Sequence, residues 1–108
     1  MSFIFARKTF NKVRIYNEDD MLLISSDITY FIRVPYTVEP KFVASKKAYL
    51  YRGKVNGRFA IKYRNYEDTD WHYDALTDQE ALNLLIAGDN KLNNIIVADE
   101  IFGPFEKA

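Results

Sequence analysis

The pair Asn56-Gly57 most tightly constrains what this chain can become, because it stands between two runs with strand-like alternation of side chains. Asn and Gly tolerate positive φ, which a two-residue type I′ turn requires at both central positions. The expectation is a β-hairpin in which paired residues have numbers summing to 113. One face then carries Ala48, Leu50, Phe59, Ile61 and Tyr63 and reads as a core face. The other face sets Lys47 opposite Tyr66, Tyr49 opposite Arg64 and Tyr51 opposite Lys62, three cation–aromatic pairs from a single turn.

A helix is nearly as well marked. Thr77-Asp78-Gln79-Glu80 has the form of a capping box, in which the Thr hydroxyl and the Glu carboxylate satisfy each other's backbone amides. Its acidic first turn suits the positive end of the helix dipole. Ala81, Leu82, Leu85 and Ile86 form an apolar stripe that Leu84 broadens, and Gly88 is placed to terminate the helix near residue 87. Elsewhere the strand period dominates. Lys12 to Tyr16 alternates, Asn17 to Asp20 has turn composition, and Met21 to Ile24 reads as a buried strand, so the two strands are expected to pair as a hairpin. Ile28 to Val34 alternates again until Pro35, and the stretch to Pro40 is an edge or a loop. Asn94 to Ala98 reads as a last strand, and Gly103-Pro104 ends the ordered chain. The expected architecture is one α+β domain over residues 1–108: mainly antiparallel sheet of about five strands, with one short helix in the C-terminal half packed on it.

Composition narrows the class of function. Apolar residues make up 48% of the chain and aromatics 16%, far from the composition of a disordered segment. The chain has no cysteine, which excludes disulfides, thiolate zinc sites and a cysteine nucleophile and fits a reducing compartment. The apolar stretch at Phe3 to Ala6 is too short for a signal peptide, and no run approaches membrane-spanning length, so a soluble cytoplasmic protein is expected. Net charge is zero, yet its distribution is uneven. Residues 41–66 carry eight basic side chains and no acidic one, whereas residues 67–108 carry ten acidic and two basic. Such a split marks an interaction surface, or else two halves that neutralise each other in the fold.

Motifs for chemistry are weak. The acidic stretch from Glu67 to Asp74 fits a calcium loop at Asp68, Asp70 and Asp74, but Tyr73 stands at the glycine position and Gln79 where the bidentate Glu belongs. It reads as a solvated loop leading into the helix. His72 is the only histidine, with no nucleophile motif and no second His or Cys to complete a zinc site. The four glycines are scattered, so no phosphate-binding glycine loop exists. No cofactor and no resident metal are expected.

The basic-aromatic hairpin face therefore carries the functional expectation, with Lys47, Tyr49, Tyr51, Lys62, Arg64, Tyr66 and Trp71 as candidate binding residues. Tyr and Arg are favoured anchors of protein interfaces. Basic β-surfaces with exposed rings also bind single-stranded nucleic acid, by phosphate neutralisation and base stacking. The same pairs could simply stabilise the sheet. Small, cysteine-free, Tyr- and Asn-rich α+β chains of this type are common among phage and mobile-element proteins that block a host factor. The leading expectation is accordingly a non-enzymatic module that binds and inhibits a protein or a protein–nucleic acid complex. The alternatives are a single-strand nucleic-acid binder and a small metal-dependent hydrolase centred on Asp68, Asp70, His72 and Asp74.

Overall fold

The computed structural model describes residues 3–34, 38–66, 69–87 and 92–106. Its centre is a four-stranded antiparallel sheet in the order β3-β6-β7-β8: β3 (Met21–Ser25), β6 (Lys47–Gly53), β7 (Phe59–Arg64) and β8 (His72–Leu76). Two separate two-stranded ribbons accompany it: β1 (Ile4–Thr9) with β2 (Lys12–Asn17), and β4 (Phe31–Arg33) with β5 (Phe42–Ala44). Two helices complete the α+β fold, α1 (Asp78–Ile86) and α2 (Leu92–Phe102).

The β6–β7 hairpin forms as the sequence predicts, but in another register. Leu50 pairs with Ile61 and Tyr49 with Lys62, so partners sum to 111 rather than 113. The loop is correspondingly longer than a two-residue turn. Gly53 N donates to Arg58 O at 2.7 Å and Gly57 N to Gly53 O at 3.1 Å, enclosing residues 54–57. Gly57 supplies the left-handed residue, with φ 69°, and the Asn56 side-chain oxygen accepts the Arg58 amide at 3.2 Å. Asn-Gly thus closes a four-residue loop, one of the common longer hairpin connections. A slip of two residues preserves strand parity, so every side chain keeps its predicted face.

The capping box is present in full: Glu80 N donates to Thr77 Oγ1 at 3.2 Å, and Thr77 N to Glu80 Oε1 at 3.0 Å. A cap of this kind contributes about 1 kcal/mol. The helix ends at Ile86, and Gly88, its expected terminator, lies outside the described residues.

Four other expectations are corrected. The strand Lys12–Asn17 pairs with Ile4–Thr9, not with Met21–Ser25, which instead pairs with β6. A 3-10 turn at Glu18–Asp20 stands between them. Residues 94–98 belong to α2 rather than to a strand. The reason is visible in the packing. Asn94 is 7% exposed, and its Oδ1 accepts from Ser25 Oγ at 2.6 Å while its Nδ2 donates to Asp27 O at 2.7 Å. This polar anchor and the burial of Ala98 hold the β-branched Ile95-Ile96-Val97 in a helix against their local preference. Finally, the acidic stretch is a loop only in part, because His72–Leu76 forms edge strand β8. The Ile28–Val34 alternation yields a regular strand only over Phe31–Arg33.

The sheet carries packed layers on both faces, complete on one and partial on the other. Ala48, Leu50, Phe59, Ile61 and Leu76 meet Ala81 and Leu85 of α1 and Ala98 of α2 in the main core, with Leu50, Ile61, Ala81, Leu85 and Ala98 fully buried. The other face carries a second, aromatic cluster of Phe3, Tyr16, Met21 and Ala60, with Phe5, Tyr51 and Ala75 packed against it. Among the described residues, no helix is long and apolar enough to cross a membrane.

Candidate interaction surface

On the second face, three rows of side chains run across β6, β7 and β8. Tyr51, Ala60 and Ala75 form one row, Tyr49, Lys62 and Tyr73 the next, and Lys47 and Arg64 the third. Extending the β7–β8 register by one residue places Trp71 beside Arg64. The β1–β2 ribbon lies over the first row. Phe3 meets Tyr51 edge-on at 5.2 Å between ring centroids and stacks on Tyr73 at 4.9 Å, while Phe5 stacks on Tyr16 at 4.8 Å. Such pairs contribute beyond their buried area.

Trp71 organises the uncovered end. Its indole lies 5.5 Å from the Tyr49 ring, Lys62 Nζ sits 4.7 Å from its centroid, and the Arg64 guanidinium carbon 5.1 Å. Both cations thus use the indole quadrupole. Lys62 also reaches Glu18 Oε1 at 3.7 Å, and its side chain is only 16% exposed. Arg64 Nε is buried with no hydrogen-bond partner among the described residues.

Of the seven residues expected to bind, the fold therefore gathers Tyr49, Lys62, Arg64 and Trp71 into one cluster, with Lys47 exposed beside it as the partner of Arg64. Tyr51 keeps its predicted face but is half-buried under the ribbon. Burial, then the neighbouring Glu18 carboxylate, pushes its hydroxyl up to about 12. Tyr66 lies past the end of β7 and is 74% exposed. The expected cross-strand pairs are replaced by contacts that converge on Trp71. Its role as hub depends on β8, the strand hidden in the acidic stretch.

Among the described residues, internal pairing leaves the charge asymmetry in place. The described ion pairs are Arg7–Asp74 at 2.6 Å and Lys62–Glu18, and neither joins the basic segment 41–66 to the acidic segment 67–108. Among the described residues, no three His, Cys, Asp or Glu side chains converge as metal ligands. Asp74 is engaged with Arg7 and with the Ala75 amide, His72 stacks on Tyr63 at 5.4 Å, and Asp68 lies outside the described residues.

A further stretch of uncommitted apolar surface is one that sequence periodicity alone did not single out. The ribbon β1–β2 is apolar on both sides. Phe5 and Tyr16 face the core, whereas Ile4, Val13 and Ile15 share the outer side and are 62–65% exposed. Phe10 at the ribbon's tip is 98% exposed. The signal lay in Ile4 to Thr9, which pairs residue for residue with β2. Compared with known proteins, the chain matches no family model, no curated protein and no solved structure.

Proposed function

We propose that this protein is a non-enzymatic binding module whose partner is another protein, acting as an inhibitor by covering its partner's surface. The observation that carries this reading is the outer side of the β1–β2 ribbon, where Ile4, Val13 and Ile15 form an uncovered apolar row. Contiguous apolar surface of this kind marks association sites on proteins. The β4–β5 ribbon adds Phe31 and Phe42, 60% and 58% exposed, and the Tyr49–Trp71 cluster adds aromatic anchors at the open end of the sheet. Absence of cysteine suits a partner in the cytoplasm, in the manner of a phage-encoded blocker of a host factor.

Binding of single-stranded nucleic acid through the hairpin face has less support. Lys62 and Arg64 already direct their charge at Trp71, and Lys62 also at Glu18. Of the cations in that neighbourhood, Lys46 and Lys47 remain exposed for phosphates.

The test is capture from a lysate by wild-type protein and by the double variant Ile4→Gln, Val13→Gln. Both positions are exposed, so the variant should keep its unfolding midpoint. The expected result is one specific protein retained by the wild type and lost by the variant. Equal retention by both proteins, or saturable oligonucleotide binding that is abolished by Lys47→Gln, would sink the reading.

A further inference from the structure

A cleft of about 360 Å³ opens between β2 and the β6–β7 loop, a volume within the range of small-ligand sites. Arg14, Ile15, Tyr16 and Asn17 line it from the ribbon; Gly53, Val55, Asn56 and Arg58 line it from the loop, with Asp20 and Met21 at the base of β3. The two sides lie almost forty residues apart in sequence and meet only in the folded protein.

The chemistry of the lining is donor-rich. Arg14 and Arg58 are half-buried, and among the described residues neither guanidinium has a hydrogen-bond or ion-pair partner. Both asparagines have their acceptor atoms occupied: Asn17 Oδ1 takes the Asp19 amide at 3.0 Å and Asn56 Oδ1 the Arg58 amide at 3.2 Å. Their NH₂ groups are left to donate. Asp20 is the one carboxylate of the lining, set against two guanidiniums. Ile15, Met21 and Val55 add apolar surface beside these donors.

We propose that this cleft binds a phosphate monoester, with Arg14 and Arg58 clamping the phosphoryl oxygens and the apolar lining receiving the organic group. Two forked guanidiniums and two amide donors exceed what the two oxygens of a carboxylate can accept, and they suit the three terminal oxygens of a monoester. The fold holds the arginines on separate elements, so one anion between them joins the ribbon to the hairpin loop. The site adjoins the proposed protein surface at Ile15, which belongs to both, whereas neither Ile4 nor Val13 lines the cleft.

The probe is phenyl phosphate, titrated against the full-length protein while backbone amide shifts are recorded by NMR. Saturable shifts at Arg14, Asn17, Asn56 and Arg58 are expected. Arg14→Gln and Arg58→Gln should each weaken binding about tenfold, as loss of a charge-assisted contact does. Arg58 flanks the loop, so its variant carries the test even if Arg14→Gln lowers the unfolding midpoint. Lys41→Gln, exposed and outside the cleft, should change nothing. The assignment fails if shifts do not saturate by about 10 mM, which would leave affinity below the millimolar range. It also fails if Lys41→Gln weakens binding equally, or if inorganic phosphate binds as tightly as the ester.

Discussion

The two faces of the central sheet differ in what covers them. On the helix face, mainly aliphatic side chains from three strands and two helices close over Leu50, Ile61 and Leu85, leaving them fully buried. On the ribbon face, stacked rings do the covering, and they extend only over the end that holds Tyr51 and Ala60. Two helices are broad enough to seal a four-stranded sheet, whereas one two-stranded ribbon is not. The open remainder is where Trp71 collects its cations, and the ribbon itself presents apolar surface outward. On the proposed reading, stability and recognition fall on opposite sides of one sheet.

Truncation measures this division most directly. Leu50→Ala opens a cavity where α1, β6 and β7 interlock, and it should lower unfolding free energy by about 3–5 kcal/mol in urea. A loss under about 1 kcal/mol would mean that the helix face repacks freely, and the contrast would disappear. Phe3→Ala removes the ring shared by Tyr51 and Tyr73. Because a ribbon can settle onto the sheet more easily than a helix pair can, its cost should be smaller, roughly 2–3 kcal/mol. Hydrogen exchange should then accelerate in β1 and β2 before it does in α1. Simultaneous loss of protection in both would show that the two faces unfold as one unit.

Alkaline pH distinguishes the faces more gently. Tyr30 packs against the helix-face core and Tyr51 against the ribbon-face cluster, and burial pushes each hydroxyl up to about 12. The unfolded chain releases these protons near pH 10 while the folded chain keeps them. Their contribution is therefore intact below pH 10 and is lost as pH rises from 10 towards 12. Tyr51→Phe should flatten that decline, read as urea midpoints at successive pH values, and leave the Tyr30 share in place. An unaltered profile would mean that Tyr51 ionises as readily in the folded protein as in the unfolded chain.

The fold is legible in the sequence where local chemistry decides the structure. Thr77 and Glu80 carry their own instruction, and the capping box forms without reference to the rest of the fold. The hairpin at Asn56-Gly57 was legible in position and in faces, but its register depended on how many residues the loop takes up, which Gly57 alone does not encode. Partner choice was not legible. The strand beginning at Lys12 finds Ile4–Thr9 because that ribbon can bury Phe3, Phe5 and Tyr16 together, a gain visible only once the sheet exists. Residues 94–98 look β-prone residue by residue and become helical through a contact 69 positions away in sequence. The candidate surface followed the same rule: Tyr49, Lys62 and Arg64 were recognised from parity, while their convergence on Trp71 required β8.

That distant contact also limits how α2 can sit. Apolar helix faces tolerate small rotations, since one methyl group serves nearly as well as its neighbour. Asn94 allows no such latitude. Its oxygen must meet Ser25 Oγ and its nitrogen Asp27 O, and Ser25 Oγ in turn accepts the Asp27 amide at 3.2 Å. A turn of α2 by one residue would break these bonds and leave the buried Ser25 and Asn94 side chains short of partners, at a cost of about 1–3 kcal/mol for each buried group. The triad therefore works as an index pin, fixing the helix's angular and axial setting where greasy contacts alone would leave it free to slide.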